Sequence, residues 1–410
     1  MGKGAQVYIE NNTGGRLSYD FHHSRGLSSD TQLQEGRRGT LEDGERLHAG
    51  YLEGSRWSGE SVVDLTLEDE KGVRWNTRLS QGDHWYFQTD RGVEYRRLLV
   101  LEDVHHGDLD DIVMDVRPAF ALQTWMGDAA AARPSWRDRK LSDLALFGTH
   151  DSATYAYDYF FLNPVGAYVK TQDSSITEQL NSGVRFLDLR LGWHNDRVEM
   201  FHDKYELGLT FEDAIGQVNR FLDTHDDEVV LASVKIDHGD AGRITPWLSD
   251  AANAPLLARM YGKAEIPTYA EAKGSIVFLN RGVSAITGVP LEVPDNAKYH
   301  SGGKYNTVQD AYEHTKLDGD EKARLIRDFY DRSMRNGGGL DPAAVGKYRA
   351  NYLNAVKLLS PATYAERYNP ILLERRYQRE DWSGIFIVDS QSGHQLRSLA
   401  THLLAPNFLF

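Results

Sequence analysis

Along the first part of this chain apolar and polar positions alternate with period two, and beyond it the period changes. Over Ser61–Glu68 the residues Val63, Leu65 and Leu67 share one face while Asp64, Thr66 and Glu68 share the other, as a half-buried strand requires. Glu70-Lys71-Gly72 supplies a turn, and Val73–Leu79 returns as a second strand. Gln6–Ile9, Arg16–Phe21, Trp85–Gln88 and Tyr95–Leu101 read as further strands. Short strands, Gly-rich turns and no helical period predict a small all-β, sandwich-like domain over residues 1–115. Residues 116–140 contain Pro118, an alanine run and Pro134, and are expected to be a linker holding at most a short helix.

From Leu141 onward apolar strands alternate with helical stretches, the pattern of an α/β domain. Strands are predicted at Leu144–His150, Val184–Leu191, Val198–His202, Glu228–Ile236, Ser275–Arg281, Tyr305–Asp310, Asn351–Leu358 and Gly384–Asp389. That is the number a (β/α)8 TIM-like barrel needs, and residues 141–410 are assigned to it. The clearest helix is Phe211–His225. Thr210 and Asp213 make a capping-box pattern, and Phe211, Ala214, Ile215, Val218, Phe221 and Leu222 form one apolar stripe. Such a stripe faces a core and is scaffold.

Titratable residues gather at the C-terminal ends of these strands. His150 and Asp151 follow the first, Asp188 and Arg190 close the second, and His202 and Asp203 the third. Lys235 and Asp237 close the fourth, Arg281 the fifth, Asp310 the sixth and Asp389 the eighth. Any one of them would pass for a solvated loop charge. In a barrel, however, those ends converge on one face, where catalysis is housed.

Composition narrows the chemistry. The 410 residues leave room for two domains, and the absence of cysteine removes disulfides, thiolate metal sites and a cysteine nucleophile. A formal charge of −14 lacks the basic footprint of a nucleic-acid binder and gives no long-range attraction to an anionic membrane. No apolar run approaches the roughly 18 residues of a transmembrane segment, so lipid contact is expected to be peripheral, through apolar and aromatic side chains. The opening MGKGAQVYIENN lacks the apolar region of a signal peptide, and Gln6 breaks the myristoylation pattern at Gly2. The neighbouring pairs His22-His23 and His105-His106 could ligate a metal, but adjacent side chains of a strand point to opposite faces. No P-loop or HExxH occurs, and neither Ser152 nor Ser390 lies in a GxSxG elbow. Two histidines flanked by carboxylates suit general base and general acid work on a phosphodiester, with an arginine to grip the phosphate.

The run ALFGTHDSAT (Ala145–Thr154) resembles the first motif of the X domain of phosphatidylinositol-specific phospholipases C, in particular the bacterial single-barrel enzymes. GVRFLDLR (183–190), FHD (201–203), VVLASVKID (229–237), SIVFLNR (275–281), VQDAY (308–312) and GIFIVDSQS (384–392) follow in that family's order. The resemblance implies cleavage of phosphatidylinositol, or of a glycosyl-phosphatidylinositol anchor, to diacylglycerol and inositol 1,2-cyclic phosphate. It implies that His150 is the general base, oriented by Asp389, and His202 the general acid, partnered by Asp151. Arg190 would hold the phosphate, and Lys235, Arg281, Asp310 and Tyr312 would contact inositol. Asp237 stands where bacterial members have Glu, so a bridging water is expected there, and Asp203 where Gly is more common.

Calcium-dependent members carry Asn in place of Asp151, an acid in place of Arg190 and Glu in place of Lys235. Two fixed cations would repel an ion that wants six to eight oxygen ligands, so the resemblance implies no metal and no cofactor. It also implies a secreted protein. The alternatives are a barrel phosphodiesterase for another head group, which would need an acid-rich metal site, and an inactive lipid-binding module. The aromatic loop Tyr155–Phe161 either packs on the barrel rim or enters the lipid interface. The role of the β domain is open between lipid docking, carbohydrate binding and bracing.

Overall fold

The computed structural model describes residues 4–408 apart from 12, 14, 30, 34, 55–60, 82–84, 90–92, 101–108, 117–119, 159–165, 314–320, 334–340, 357–358, 374–382 and 390–392. The chain divides into two compact units, Met1–Phe120 with Phe408–Phe410, and Ala121–Asn407.

The first unit is built of strands β1 (Gly4–Asn11), β2 (Leu17–Arg25), β3 (Arg38–Leu41), β4 (Arg46–Glu53), β5 (Ser61–Asp69), β6 (Arg74–Gln81), β7 (Trp85–Thr89), β8 (Val93–Val100) and β9 (Leu109–Val116). They form two sheets, of order β4-β1-β9-β8 and β3-β2-β5-β6-β7. All neighbours are antiparallel except β1 and β9. The predicted alternation in β5 holds: Val63, Leu65 and Leu67 enter the core, while Asp64 pairs on the other face with Arg78 at 2.6 Å. That core draws Val7 and Ile9 from β1, Phe21 from β2, Trp75 from β6 and Met114 from β9, so both sheets feed one cluster. The β5–β6 turn is set by Asp69, whose Oδ1 accepts from the amides of Lys71 and Val73, and by Gly72 at φ 78°.

Residues 121–140, expected to be a linker, are packed structure of the second unit. Helix Trp125–Ala132 buries Trp125 and Met126, and Trp136 is also buried. The proline and alanine content that suggested a linker instead marks short helices.

The second unit contains β10 (Ala145–Thr149), β11 (Phe186–His194), β12 (Arg197–His202), β13 (Tyr205–Thr210), β14 (Val230–His238), β15 (Ile276–Asn280), β16 (Val289–Pro290), β17 (Asn306–Gln309), β18 (Tyr348–Tyr352) and β19 (Gly384–Val388). Eight of them form a curled sheet of order β16-β15-β14-β11-β10-β19-β18-β17, every neighbouring pair parallel. Strands β10 and β19, apolar except for Thr149, are buried at every position, as parallel strands covered on both faces must be. The expected third barrel strand is corrected. Val198–His202 lies in β12, which pairs antiparallel with β11 and with β13, off the parallel path. The vacant place in the path is taken by β16, only Val289 and Pro290 long and too short to leave a periodic signal.

Helix Phe211–Thr224 follows the predicted stripe. Thr210 Oγ1 accepts from the amide of Asp213 at 3.0 Å, and all six stripe residues are buried. At the N-terminal ends of the strands a fully buried ion pair joins Arg185 to Glu228 at 2.7 Å. Glu228 also accepts from the amides of Met126 and Gly127, and Arg185 donates to the carbonyls of Leu180, Val184, Leu122 and Gln123. The pair is fully satisfied, which is the condition for tolerating buried charge.

Candidate active site

The site begins where β10 ends. A Cβ at Gly148 would lie 2.7 Å from the Phe186 ring, so only glycine lets β10 approach β11 this closely. The chain then turns through Asp151 at φ 43°, a left-handed conformation that aspartate tolerates better than most residues. Ser152 pins the turn to β11: its amide donates to Asp188 O at 2.9 Å and its hydroxyl accepts from the Asp188 amide at 2.8 Å. A fully buried hydroxyl committed in this way is no nucleophile. Ser390 lies outside the described residues.

The turn delivers His150 and Asp151 to the C-terminal face. His150 Nδ1 lies 2.9 Å from Asp389 Oδ1, at the end of β19, and its Nε2 lies 3.4 Å from Asp151 Oδ2. His202, brought in by the hairpin, donates from Nδ1 to Val169 O at 2.7 Å and places Nε2 3.4 Å from the same Asp151 Oδ2. One carboxylate oxygen therefore lies 3.4 Å from both imidazoles. Arg190 fills the space beside them. Its Nε pairs with Asp151, its Nη2 with Asp188 at 3.0 Å, and its Nη1 with Asp237 at 3.4 Å. Lys235 Nζ meets Asp237 Oδ1 at 2.7 Å, and Arg281 Nη1 lies 3.6 Å from Asp188.

These contacts set the protonation states. Burial pulls the pKa of His150 down, but the carboxylates of Asp151 and Asp389 more than reverse this and raise it to about 9. Against that, an N–H of Arg190 faces Nε2 at 2.9 Å. A donor at that distance needs a lone pair, so the geometry is that of the neutral ring with its proton on Nδ1 toward Asp389. The two tendencies compete, and a proton on Nε2 requires Arg190 to turn away. Burial would raise Asp188, yet Arg190 and Arg281 hold its carboxyl well below the usual range. Burial raises Asp237 as well, and here Arg190 and Lys235 outweigh it. Asp310 is raised by burial, with Lys322 opposing. For Arg190, burial is outweighed by Asp151, Asp188 and Asp237, which keep it cationic.

All the anticipated substrate-contact residues lie on this face. Lys235, Arg281, Asp310 and Tyr312 line one cavity of about 530 Å³ together with His150, Arg190, His202 and Asp389, while Asp151 and Asp237 lie immediately behind it. Tyr312 donates its hydroxyl to Asp295, which also lines the cavity. Sequence reasoning gave no role to Asp188 and missed Asn354. Asp188 is marked in the sequence only as a strand-end residue, two positions before Arg190 on one face of β11. Asn354 follows β18 with no charge or motif to mark it. Its Nδ2 lies 3.3 Å from His150 Nε2.

His150, Asp151 and Asp188 hold potential ligand atoms within 4.8 Å of one another. Each of the three contacts Arg190, so a guanidinium stands where an ion would have to sit. His194, Glu199 and Glu206 form the other such cluster among the described residues, away from the cavity lining. His22 and His23 belong to neither cluster, and His105-His106 lie outside the described residues. Of the aromatic loop, Tyr155 accepts from Gln217 Nε2 at 2.7 Å and Tyr157 meets Tyr205 edge-on; Tyr159–Phe161 are outside the described residues. Tyr168 and Val356, 44% and 45% exposed, are the large apolar residues open to solvent at the cavity mouth.

Comparison with known proteins bears out the resemblance drawn from the motifs. The family model PI-PLC X matches residues 136–259. A 1-phosphatidylinositol phosphodiesterase of Staphylococcus aureus is 27% identical over 260 residues, covering 56% of this chain and 74% of its own. A PI-PLC X domain-containing protein of Danio rerio is 35% identical over 122 residues, 24% of this chain and 39% of its own. Among solved structures, a phosphatidylinositol-specific phospholipase C from Staphylococcus aureus superposes with a TM-score of 0.55 at 22% identity, over 66% of this chain and 93% of that one. The corresponding Listeria monocytogenes enzyme gives 0.53 at 20% identity, over 69% and 99%.

Proposed function

We infer that this chain, a member of the PI-PLC X family by the match over residues 136–259, cleaves phosphatidylinositol to diacylglycerol and inositol 1,2-cyclic phosphate without a metal. The observation that carries the reading is the pair of imidazoles joined through Asp151 beside a guanidinium. The curled sheet is read as a (β/α)8 barrel and the nine-stranded unit as a β-sandwich of unassigned role.

In this mechanism the inositol 2-hydroxyl gives its proton to His150 Nε2 as its oxygen attacks phosphorus. The bond from phosphorus to the diacylglycerol oxygen breaks, and that oxygen takes a proton from His202 Nε2. Asp389 supports the charge that appears on His150, and Asp151 sits between the two rings as the proton inventory shifts from one to the other. Arg190 exchanges part of its carboxylate contacts for phosphate oxygens, where its planar fork fits. Lys235, Arg281, Asp310 and Tyr312 line the wall that would take the inositol ring, with Asp237 acting through Lys235 or a water.

No helix among the described residues is long and apolar enough to cross a membrane, and the proposed contact with a phosphatidylinositol or glycosyl-phosphatidylinositol surface is peripheral, at Tyr168 and Val356. Phosphorus NMR with phosphatidylinositol, phosphatidylcholine and sphingomyelin in excess EDTA tests the assignment. A cyclic phosphodiester from phosphatidylinositol alone supports it. Turnover of either choline lipid in its place would overturn it.

A further inference from the structure

His150 is pulled in two directions. From β19 and from its own turn come the carboxylates of Asp389 and Asp151; Asp188 on β11 and Asp310 after β17 add negative charge farther off. All four favour a charged ring. The edge of Tyr352 on β18 packs against it without a charge. Burial opposes the carboxylates, as do Arg190 from β11 and Asn354 from the segment after β18, whose N–H groups face the same Nε2 at 2.9 and 3.3 Å.

We propose that Asn354 is a positioning residue that holds the base His150 in its neutral form, with the Nε2 lone pair ready for the substrate proton. The proposal rests on the phospholipase reading for the identity of that base. Two features beyond the contact support it. Asn354 is buried, and among the described residues no donor reaches its Oδ1. A buried carbonyl left without a partner is costly, so this amide orientation is not one that satisfies asparagine itself. The bond to His150 is what it gains. With a guanidinium N–H already on Nε2, that nitrogen is an acceptor, and Asn354 meets it through Nδ2, a donor.

The role differs from that of Arg190 in one respect. Once a phosphate engages the guanidinium, Asn354 remains the neutral donor available to the base. Removing it leaves the carboxylates opposed by burial alone and moves the ring toward its protonated, unreactive state.

The test is the titration of the His150 imidazole, followed by nitrogen NMR in histidine-labelled protein and assigned by its loss in His150→Ala. Asn354→Ala should raise the midpoint by roughly half to one pH unit. Asn354→Asp keeps the shape, replaces the donor by a further negative charge, and should raise it by about one unit or more. The acidic limb of kcat/KM should move up in parallel, with activity recovering toward wild type at alkaline pH and KM changing less than kcat. A midpoint that is unmoved or lowered in both variants would overturn the proposal, as would an activity loss equal at every pH. The NMR arm needs no substrate. A shifted midpoint in a protein that does not turn over phosphatidylinositol would reject the phospholipase reading alone, and an unshifted midpoint in an active one would reject this inference alone.

Discussion

Nδ1 of His150 and Oδ1 of Asp389 stand 2.9 Å apart across the seam between β10 and β19, and both groups are buried. The Asp389 charge raises the His150 pKa, so removing it lowers that pKa. Asp389→Asn should therefore move the acidic limb of the rate profile to lower pH, opposite to the Asn354 variants, while kcat falls by roughly ten- to a hundredfold. That is less than the roughly 10²–10⁴ expected for His150→Ala, because tautomer control and charge support are lost but the base remains. A pH–rate series on Asp389→Asn, the two Asn354 variants and His150→Ala checks both sign and rank.

His202 has its Nδ1 proton committed to Val169 O, which leaves Nε2 for the leaving group. His202→Ala should lose about 10²–10⁴ in kcat on phosphatidylinositol and recover most of it on an analogue with an acidic leaving group. His150→Ala should not recover on that analogue. Comparable recovery of both would mean that the roles are misassigned, and recovery of His150→Ala alone that they are exchanged.

Arg190 contacts Asp151, Asp188 and Asp237 at once, which a lysine ammonium cannot reproduce. Arg190→Lys should lose about a hundredfold or more in kcat despite keeping its charge. Excess EDTA should leave the wild-type rate unchanged within about twofold. A rate abolished by chelator and restored by calcium would turn Asp151 and Asp188 into ligands.

The Arg185–Glu228 pair makes a prediction about folding. Glu228→Gln leaves a buried guanidinium short of its counter-charge and should destabilise by about 3–5 kcal/mol. The double variant Arg185→Met/Glu228→Leu should regain part of that loss. Urea unfolding of the single and double variants decides it, with the residual activity of the folded fraction expected to be near wild type.

What the sequence made legible follows from how each feature is encoded. The helix at 211–224 announces itself through a capping threonine and a six-residue stripe, and the strand-end residues through their change from apolar to charged. His202 lines the cavity, but from a strand that pairs antiparallel with β11 rather than from the parallel path, because alternation reports a strand and not its partner. Val289–Pro290 joins the sheet through tertiary pairing alone. Trp125 and Trp136 make a packed layer from a stretch whose proline and alanine content looks like a tether. Asn354 carries no charge and sits in no motif. Its contact with His150 runs through one N–H, which no sequence pattern encodes.

The hairpin that corrected the strand count also separates the two halves of the catalytic pair. The proposed base, His150, is anchored in the parallel sheet, whereas the proposed acid, His202, rides on an antiparallel arm that leaves β11 and doubles back through Asn195 and Asp196, both at positive φ. A two-residue reversal of that kind fixes the length and twist of the arm by itself. Lengthening or shortening this turn would change the β11–β12 register, and with it the position of the proposed proton donor relative to the proposed acceptor on the parallel sheet. The spacing between attack and departure is thus a separable dimension of the protein, open to adjustment for bulkier or slimmer leaving groups without rebuilding the scaffold that holds the nucleophile.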